Sequence, residues 1–343
     1  MILTAGPCSA ESFEQLYSTA QALLPLNIDY FRAGLWKPRT RPSSFEGVKD
    51  KGLDWMVRIQ KDLKLKICTE IASADMADKC AEYNFDAVWI GARTTQNPFT
   101  TEDIARALEG TNMCVMVKNP LNPDVKLWLG AVERLEKHGI KKIMAVHRGF
   151  SLSYNKYKQS PLWRIPLEFK RLRQDIPIIC DPSHIAGDRM YVGQLAHDAV
   201  AIGFDGLMVE THISPDSALT DAKQQITPEQ LTELIGSIPS VTDNHKGYDT
   251  LLAALRKQID DIDDVLIGAL KDRMDISKKI ALIKKQNNMR IFQPERWQEV
   301  VKNVTNLAED KDLDGDFVKE IYGIIHQDSV KTQNVIINKS EFL

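Results

Sequence analysis

Eight short apolar runs, each closing on a residue able to grip an anion or a metal, constrain this chain more than any other feature. They end near Cys8, Arg32, Glu70, Arg93, Lys118, Arg148, His184 and Glu210. Near-continuous Val/Ile/Leu runs separated by helix-length amphipathic stretches mark a parallel sheet covered on both faces, because neither face meets water. Eight such units predict an α/β fold, a closed (β/α)8 barrel, whose active site is assembled at the carboxyl ends of the strands. Polar residues gathered at those ends therefore predict an enzyme.

A barrel of this kind takes roughly 250 residues, and the chain has 343, so a second, smaller domain is expected. Strand and helix patterns alternate from Ile2 to about Pro239, giving a barrel over 1–239. A polar, turn-rich stretch over 240–247 predicts a linker, and 248–343 is helical throughout. There Leu251, Leu255, Ile259, Ile262, Leu266, Leu270, Ile276, Ile280 and Ile283 recur at three- and four-residue steps. A helix from about Asp249 to Lys285 would be roughly 55 Å long. Two shorter ones follow, one opening near Pro294 and one running from about Asp316 to Asn338. Three helices, one of them this long, cannot bury the apolar stripe alone, so a homodimer intertwined through the tail is predicted.

Composition excludes several classes. A net charge of −3 argues against nucleic acid as a partner, and no apolar run approaches the roughly 20 residues that span a bilayer. Met1 runs straight into the first strand with no room for a signal peptide, which predicts a cytoplasmic protein. The five scattered cysteines read as reduced thiols.

Against that negative charge, Arg32, Lys37, Arg39, Arg93, Lys118 and Arg148 all lie at or just beyond strand ends. Any one of them could snorkel or pair with a neighbouring acid; six together predict a site for small, multiply charged anions such as phosphates and carboxylates. Cys8, His184, Glu210 and Asp221 fall at or just past the ends of the first, seventh and eighth strands. Their sulfur, nitrogen and oxygen donors suit a divalent transition metal such as Mn, Fe, Co or Zn. A buried inert thiol at Cys8 and a structural imidazole at His184 stay open, and His212 competes as a ligand.

The motifs GPCSAES from Gly6, RAGLWKPRT from Arg32, TE at Thr69 and Glu70, IGAR from Ile90, KNP from Lys118, HRG from His147, DPSHIAG from Asp181, and ETH followed by Asp221 resemble 3-deoxy-D-arabino-heptulosonate 7-phosphate (DAHP) synthase in its short form. The resemblance implies metal-dependent condensation of phosphoenolpyruvate with erythrose 4-phosphate. It places phosphoenolpyruvate on Arg32, Lys37, Arg93, Lys118 and Arg148, and erythrose 4-phosphate on Pro38, Arg39 and Thr40. It makes Cys8, His184, Glu210 and Asp221 the metal ligands, with Lys37 and Glu70 in catalytic roles. The sibling synthase that uses arabinose 5-phosphate is similar too, but KPRT at 37–40 favours the four-carbon sugar. Arg41 departs from the serine common there.

On the long tail helix, Arg273 sits on the apolar stripe, and Lys284, eleven residues on, returns within roughly 20° of the same face. Two cations pointing inward imply an anion between the helices, since a buried unpaired charge is costly. Arg256 lies about 100° away, so it either serves another subunit or pairs with Asp260, Asp263 or Asp264. With Arg296, and with Ser329 and Gln333 one turn apart, the set resembles the all-helical chorismate mutase. The resemblance implies that Arg273, Arg296 and the partner's Arg256 clasp the carboxylates of chorismate. It implies that Lys284 and Gln333 act catalytically on the ether oxygen and that Ser329 orients the ligand. Gln293 stands where an aspartate is usual and Trp297 where a glutamate is usual. Two readings follow: a working mutase fused to the synthase, with feedback through the tail, or a tail that only binds chorismate or prephenate and regulates.

Overall fold

A computed structural model describes residues 1–37, 45–151, 157–239 and 249–338. Eight strands, β1 (Ile2–Gly6), β2 (Tyr30–Arg32), β3 (Ile67–Ile71), β4 (Ala87–Ile90), β5 (Cys114–Lys118), β6 (Ile143–His147), β7 (Ile178–Cys180) and β8 (Gly206–Glu210), form one closed barrel in chain order. All neighbours are parallel, and β1 closes on β8 with Gly6 beside Glu210. The predicted (β/α)8 class is what the chain adopts.

Side chains alternate along a strand, so every second residue faces the barrel axis. The inward set is a small buried cluster of Cys68, Ala87, Trp89, Cys114, Met116, Val146, Ile179 and Met208. Two residues further along the same strands stand Glu70, Lys118, Arg148, Asp181 and Glu210. The apolar plug and the charged rim are therefore one inward-facing frame read at two heights. The opposite parity, with Phe31, Val115, Val117 and Val209 among it, packs outward against Trp128, Phe169 and the other helical residues of the larger core. Trp128 ties its helix (Val125–Lys137) to the sheet by donating its indole N–H to the Val117 carbonyl at 3.0 Å. Helix starts are fixed locally: Ser12, Ser73, Asn97 and Asp124 each cap a backbone N–H, and Thr227 forms a capping box with Gln230. Gly6 is required where β1 meets β2. Its φ is +143°, and a Cβ there would lie 2.1 Å from the Arg32 carbonyl oxygen.

Contacts divide the chain into two compact units, Met1–Val241 and Thr242–Leu343. The linker expected at 240–247 lies outside the described residues, as do Pro38, Arg39, Thr40 and Arg41. Among the described residues the second unit holds three helices, Asp249–Gln286, Pro294–Glu309 and Gly315–Asn338. The first has 38 residues and so spans about 57 Å. Ser277, Ala281 and Lys284 in its second half are buried, yet Val265 is 71% and Ile267 66% exposed, and Leu255, Ile259, Ile262 and Leu266 are exposed with them. A contiguous apolar stripe of that size on a lone chain calls for a covering surface. No described helix is long and apolar enough to cross a membrane.

Candidate active sites

At the carboxyl ends of the strands, Arg32 is fully buried, and its Nη2 donates to Glu210 Oε1 at 3.1 Å. Its guanidinium stacks over Trp89, 4.6 Å from the ring centroid. Among the described residues its Nε and Nη1 have no partner, and neither has Nη1 of the buried Arg148. Buried donors of this kind are almost always paired, so these mark a place for an anion. Lys118 Nζ donates to Asp181 Oδ2 at 2.8 Å. Arg93, exposed, joins Lys37, Glu70, Lys118, Arg148, His184 and Asp221 in lining a cavity of about 260 Å3. Glu70 is half-buried, and Gly91 makes room for it: a Cβ on Gly91 would lie 2.3 Å from Glu70 Oε1.

Burial would lower Arg32, but Glu210 and Asp181 hold it above its ordinary range. Burial, with Arg93 adding to it, pulls Arg148 down. Burial would raise Asp181, but His184 and Lys118 hold it well below the usual carboxylate range. The rim is thus an array of charges held in place by their own ion pairs.

Cys8, Glu210 and Asp221 bring one ligand atom each within 4.8 Å of one another. Ligands around a single ion at bond lengths of about 2.0–2.3 Å lie within such a distance. Lys37 Nζ donates to Cys8 Sγ at 3.2 Å, and Lys158 Nζ donates to Asp221 Oδ1 at 3.2 Å. Burial, with Glu210 beside it, pushes the Cys8 thiol up to about 12, so it stays protonated unless a strong local positive charge displaces the proton. That donor chemistry fits a divalent transition metal. His184 is not one of that trio but borders it: its Nε2 is 3.8 Å from Glu210 Oε1, while its Nδ1 faces Asp181 Oδ2 at 2.8 Å. Asp181 caps the short helix Pro182–Ala186, which turns the imidazole toward that carboxylate. His212 Nδ1 accepts from the Ser214 N–H at 2.9 Å, and its Nε2 lies 3.9 Å from Glu11 Oε2.

Asp181, Lys158 and Gln224 went unremarked as site residues in the sequence. Gln224 Nε2 donates to Glu210 Oε2 at 2.7 Å and its Oε1 accepts from Lys158. Asp181 stood inside the DPSHIAG motif, one residue past β7 on the inward parity, and that was the usable signal. Nothing in spacing links Lys158 to Asp221, 63 residues away.

The tail holds a second cavity of about 410 Å3. Arg273, Lys284, Gln293, Arg296, Trp297, Ser329 and Gln333 line it, with His326, a residue that no sequence spacing singles out. Arg273 Nη1 donates to Ser329 Oγ at 2.8 Å. Lys284 is buried, its Nζ donates to the Ile291 carbonyl, and burial pulls its pKa down. No carboxylate is among the lining residues. Gln333 Nε2 donates to Ser277 Oγ at 3.1 Å, while its buried Oε1 has no partner among the described residues. Reversing that amide lets Ser277 donate instead and turns an N–H toward the cavity. Arg296 is exposed and pairs with Glu299 at 2.7 Å. Arg256 is exposed and makes no ion pair with Asp260, Asp263 or Asp264.

Residues 1–244 match the model of the DAHP synthetase I family, and residues 255–334 match that of chorismate mutase type II. The chain is similar to the phospho-2-dehydro-3-deoxyheptonate aldolase of Thermotoga maritima, with 34% identity over 241 residues that make up 70% of each protein. It is also similar to the 2-dehydro-3-deoxyphosphooctonate aldolase of Wolinella succinogenes, with 29% identity over 277 residues, 71% of this chain and 100% of that protein. The crystal structure of DAHP synthase from Thermotoga maritima superposes with a TM-score of 0.63 and 31% identity, covering 73% of this chain and 70% of that one.

Proposed function

Because the chain belongs to the DAHP synthetase I family and carries a chorismate mutase type II domain, we propose that it condenses phosphoenolpyruvate with erythrose 4-phosphate and rearranges chorismate to prephenate. The observation that carries the first activity is the set of unpartnered donors on Arg32 and Arg148, opening beside the Cys8, Glu210 and Asp221 cluster.

In this reading Arg32, Lys37, Arg93, Lys118 and Arg148 hold phosphoenolpyruvate by its phosphate and carboxylate. The segment Pro38, Arg39 and Thr40 receives the sugar phosphate, and KPRT at 37–40 selects the four-carbon aldehyde. Holding two mutually repelling anions in attack geometry lowers the barrier by positioning and by charge. C3 of phosphoenolpyruvate attacks the aldehyde carbon, water adds at C2, and phosphate departs. Glu70, with its carboxylate on the cavity wall, orients that water or carries its proton. A divalent ion held by Cys8, His184, Glu210 and Asp221, of the Mn, Fe, Co or Zn type, would polarise the aldehyde oxygen as a Lewis acid.

In the tail, Arg273, Arg296 and the partner's Arg256 clasp the two carboxylates, Ser329 orients the ligand, and Lys284 and Gln333 stabilise negative charge on the ether oxygen as the C–O bond breaks. We further propose that ligand held there slows the barrel, and that five unbridged thiols fit a reducing compartment such as the cytoplasm. One experiment on the purified chain tests these readings together. Chelation should abolish phosphate release from the two substrates, single divalent ions should restore it, chorismate loss should be untouched, and added prephenate should slow phosphate release. Phosphate release that survives complete metal removal overturns the metal-dependent reading, and chorismate loss no faster than in buffer leaves a tail that only binds.

The uncovered stripe on the long helix and the exposed Arg256 support a dimer through the tail. Light scattering should give twice the chain mass, and Val265→Asp with Ile262→Asp should give monomers that lose mutase turnover and keep condensation. A wild-type monomer with full mutase activity would contradict it.

A further inference from the structure

The tail cavity contains a group that the cation set does not explain. The His326 ring, on the third tail helix, stacks on the Trp297 indole with centroids 4.2 Å apart and planes 18° apart, and the Phe292 centroid is 5.9 Å away. Both His326 and Trp297 line the cavity, beside Arg273, Lys284 and Arg296. His326 Nε2 is buried and meets no donor or acceptor among the described residues. Leaving such an atom unsatisfied opposes folding, and that penalty falls away when a ligand supplies the partner. Burial, then Arg273 and Lys284, hold the imidazole below its ordinary range, so it adds no third charge to the pair of inward cations. With arginines and a lysine on the wall and no acid, the cavity is built to hold hydrogen-bond acceptors.

We propose that His326 is a ligand-binding residue of this pocket, its Nε2–H donating to an oxygen of the bound dicarboxylate while the stacked Trp297 indole forms a flat apolar wall beside the ring. The inference rests on the chorismate reading of the cavity. It also accounts for the departure at position 297: an aromatic pair with one neutral donor stands where an acidic side chain would set an anion against the ligand.

His326→Phe keeps the stacked ring and removes only the donor. In the full chain its KM for chorismate should rise about tenfold with kcat little changed, and His326→Gln, which returns an N–H, should recover part of the loss. On the wild-type chain, the His326 Nε2 resonance in a histidine-labelled spectrum should move when prephenate saturates the tail. An unchanged KM in His326→Phe, or an unmoved resonance at saturation, overturns the proposal even if the variant proves hard to fold. Arg273→Ala separates the two readings. If it binds prephenate as tightly as wild type, the chorismate reading of the cavity fails; if it loses prephenate while His326→Phe behaves as wild type, only the role of His326 fails.

Discussion

Replacing Glu210 by alanine should cost the barrel about 3–5 kcal/mol and remove essentially all condensation activity, because it leaves the Arg32 guanidinium buried without its hydrogen-bonded counter-charge. Both residues are inaccessible to solvent, so no water can take over from the lost carboxylate, and Gln224 loses its acceptor as well. Glu210→Gln keeps shape and one acceptor and should fall between wild type and alanine in stability while still failing to bind metal. Denaturant unfolding followed by tryptophan fluorescence reports this directly, since Trp36, Trp55, Trp89, Trp128 and Trp163 lie in the barrel and Trp297 alone in the tail. A loss under about 1 kcal/mol would show that Arg32 finds another partner, for which the structure offers Asp181 as the next nearest acid in its field.

Lys284→Met should act on activity and stability in opposite directions. Chorismate rearrangement should slow by about 10²–10³ in kcat, the scale seen when one donor to a developing oxyanion is removed. The tail, however, should be no less stable than wild type. Lys284 is buried against a backbone carbonyl with no acid on the cavity wall, and an uncompensated charge there opposes folding; methionine keeps the length and removes the charge. Turnover of chorismate together with thermal unfolding of the full chain checks both halves. A variant that turns over within tenfold of wild type would exclude Lys284 from the reacting bond, and one that unfolds readily would mean that the ammonium holds the helices together after all.

The barrel and its rim were legible because both follow from a simple rule: a buried parallel strand alternates its side chains, and the residue that ends the inward row must be polar where the barrel opens. Arg32, Lys118 and Glu210 sit at strand ends and could be picked out that way. The tail helices were legible from the three- and four-residue spacing of Leu255, Ile259, Ile262 and Leu266, and the exposed stripe is where that spacing leads. Contacts made across loops were not legible. Lys158 meets Asp221 and Gln224 through chain paths whose geometry no periodicity encodes. His326 was missed for another reason: a lone histidine within a helical pattern carries no signal until its stacking partner on a different helix is known.

The shared frame of plug and rim limits how such a chain can change over time. Deleting one residue inside β5 would rotate every later side chain of that strand by half a turn, sending the Lys118 ammonium out among Val115's helical neighbours and an aliphatic group into the mouth. Strand lengths are therefore locked while the connecting segments are free to lengthen or shorten, and new specificities on this scaffold must come from exchanging side chains at the mouth or rebuilding the segments around it.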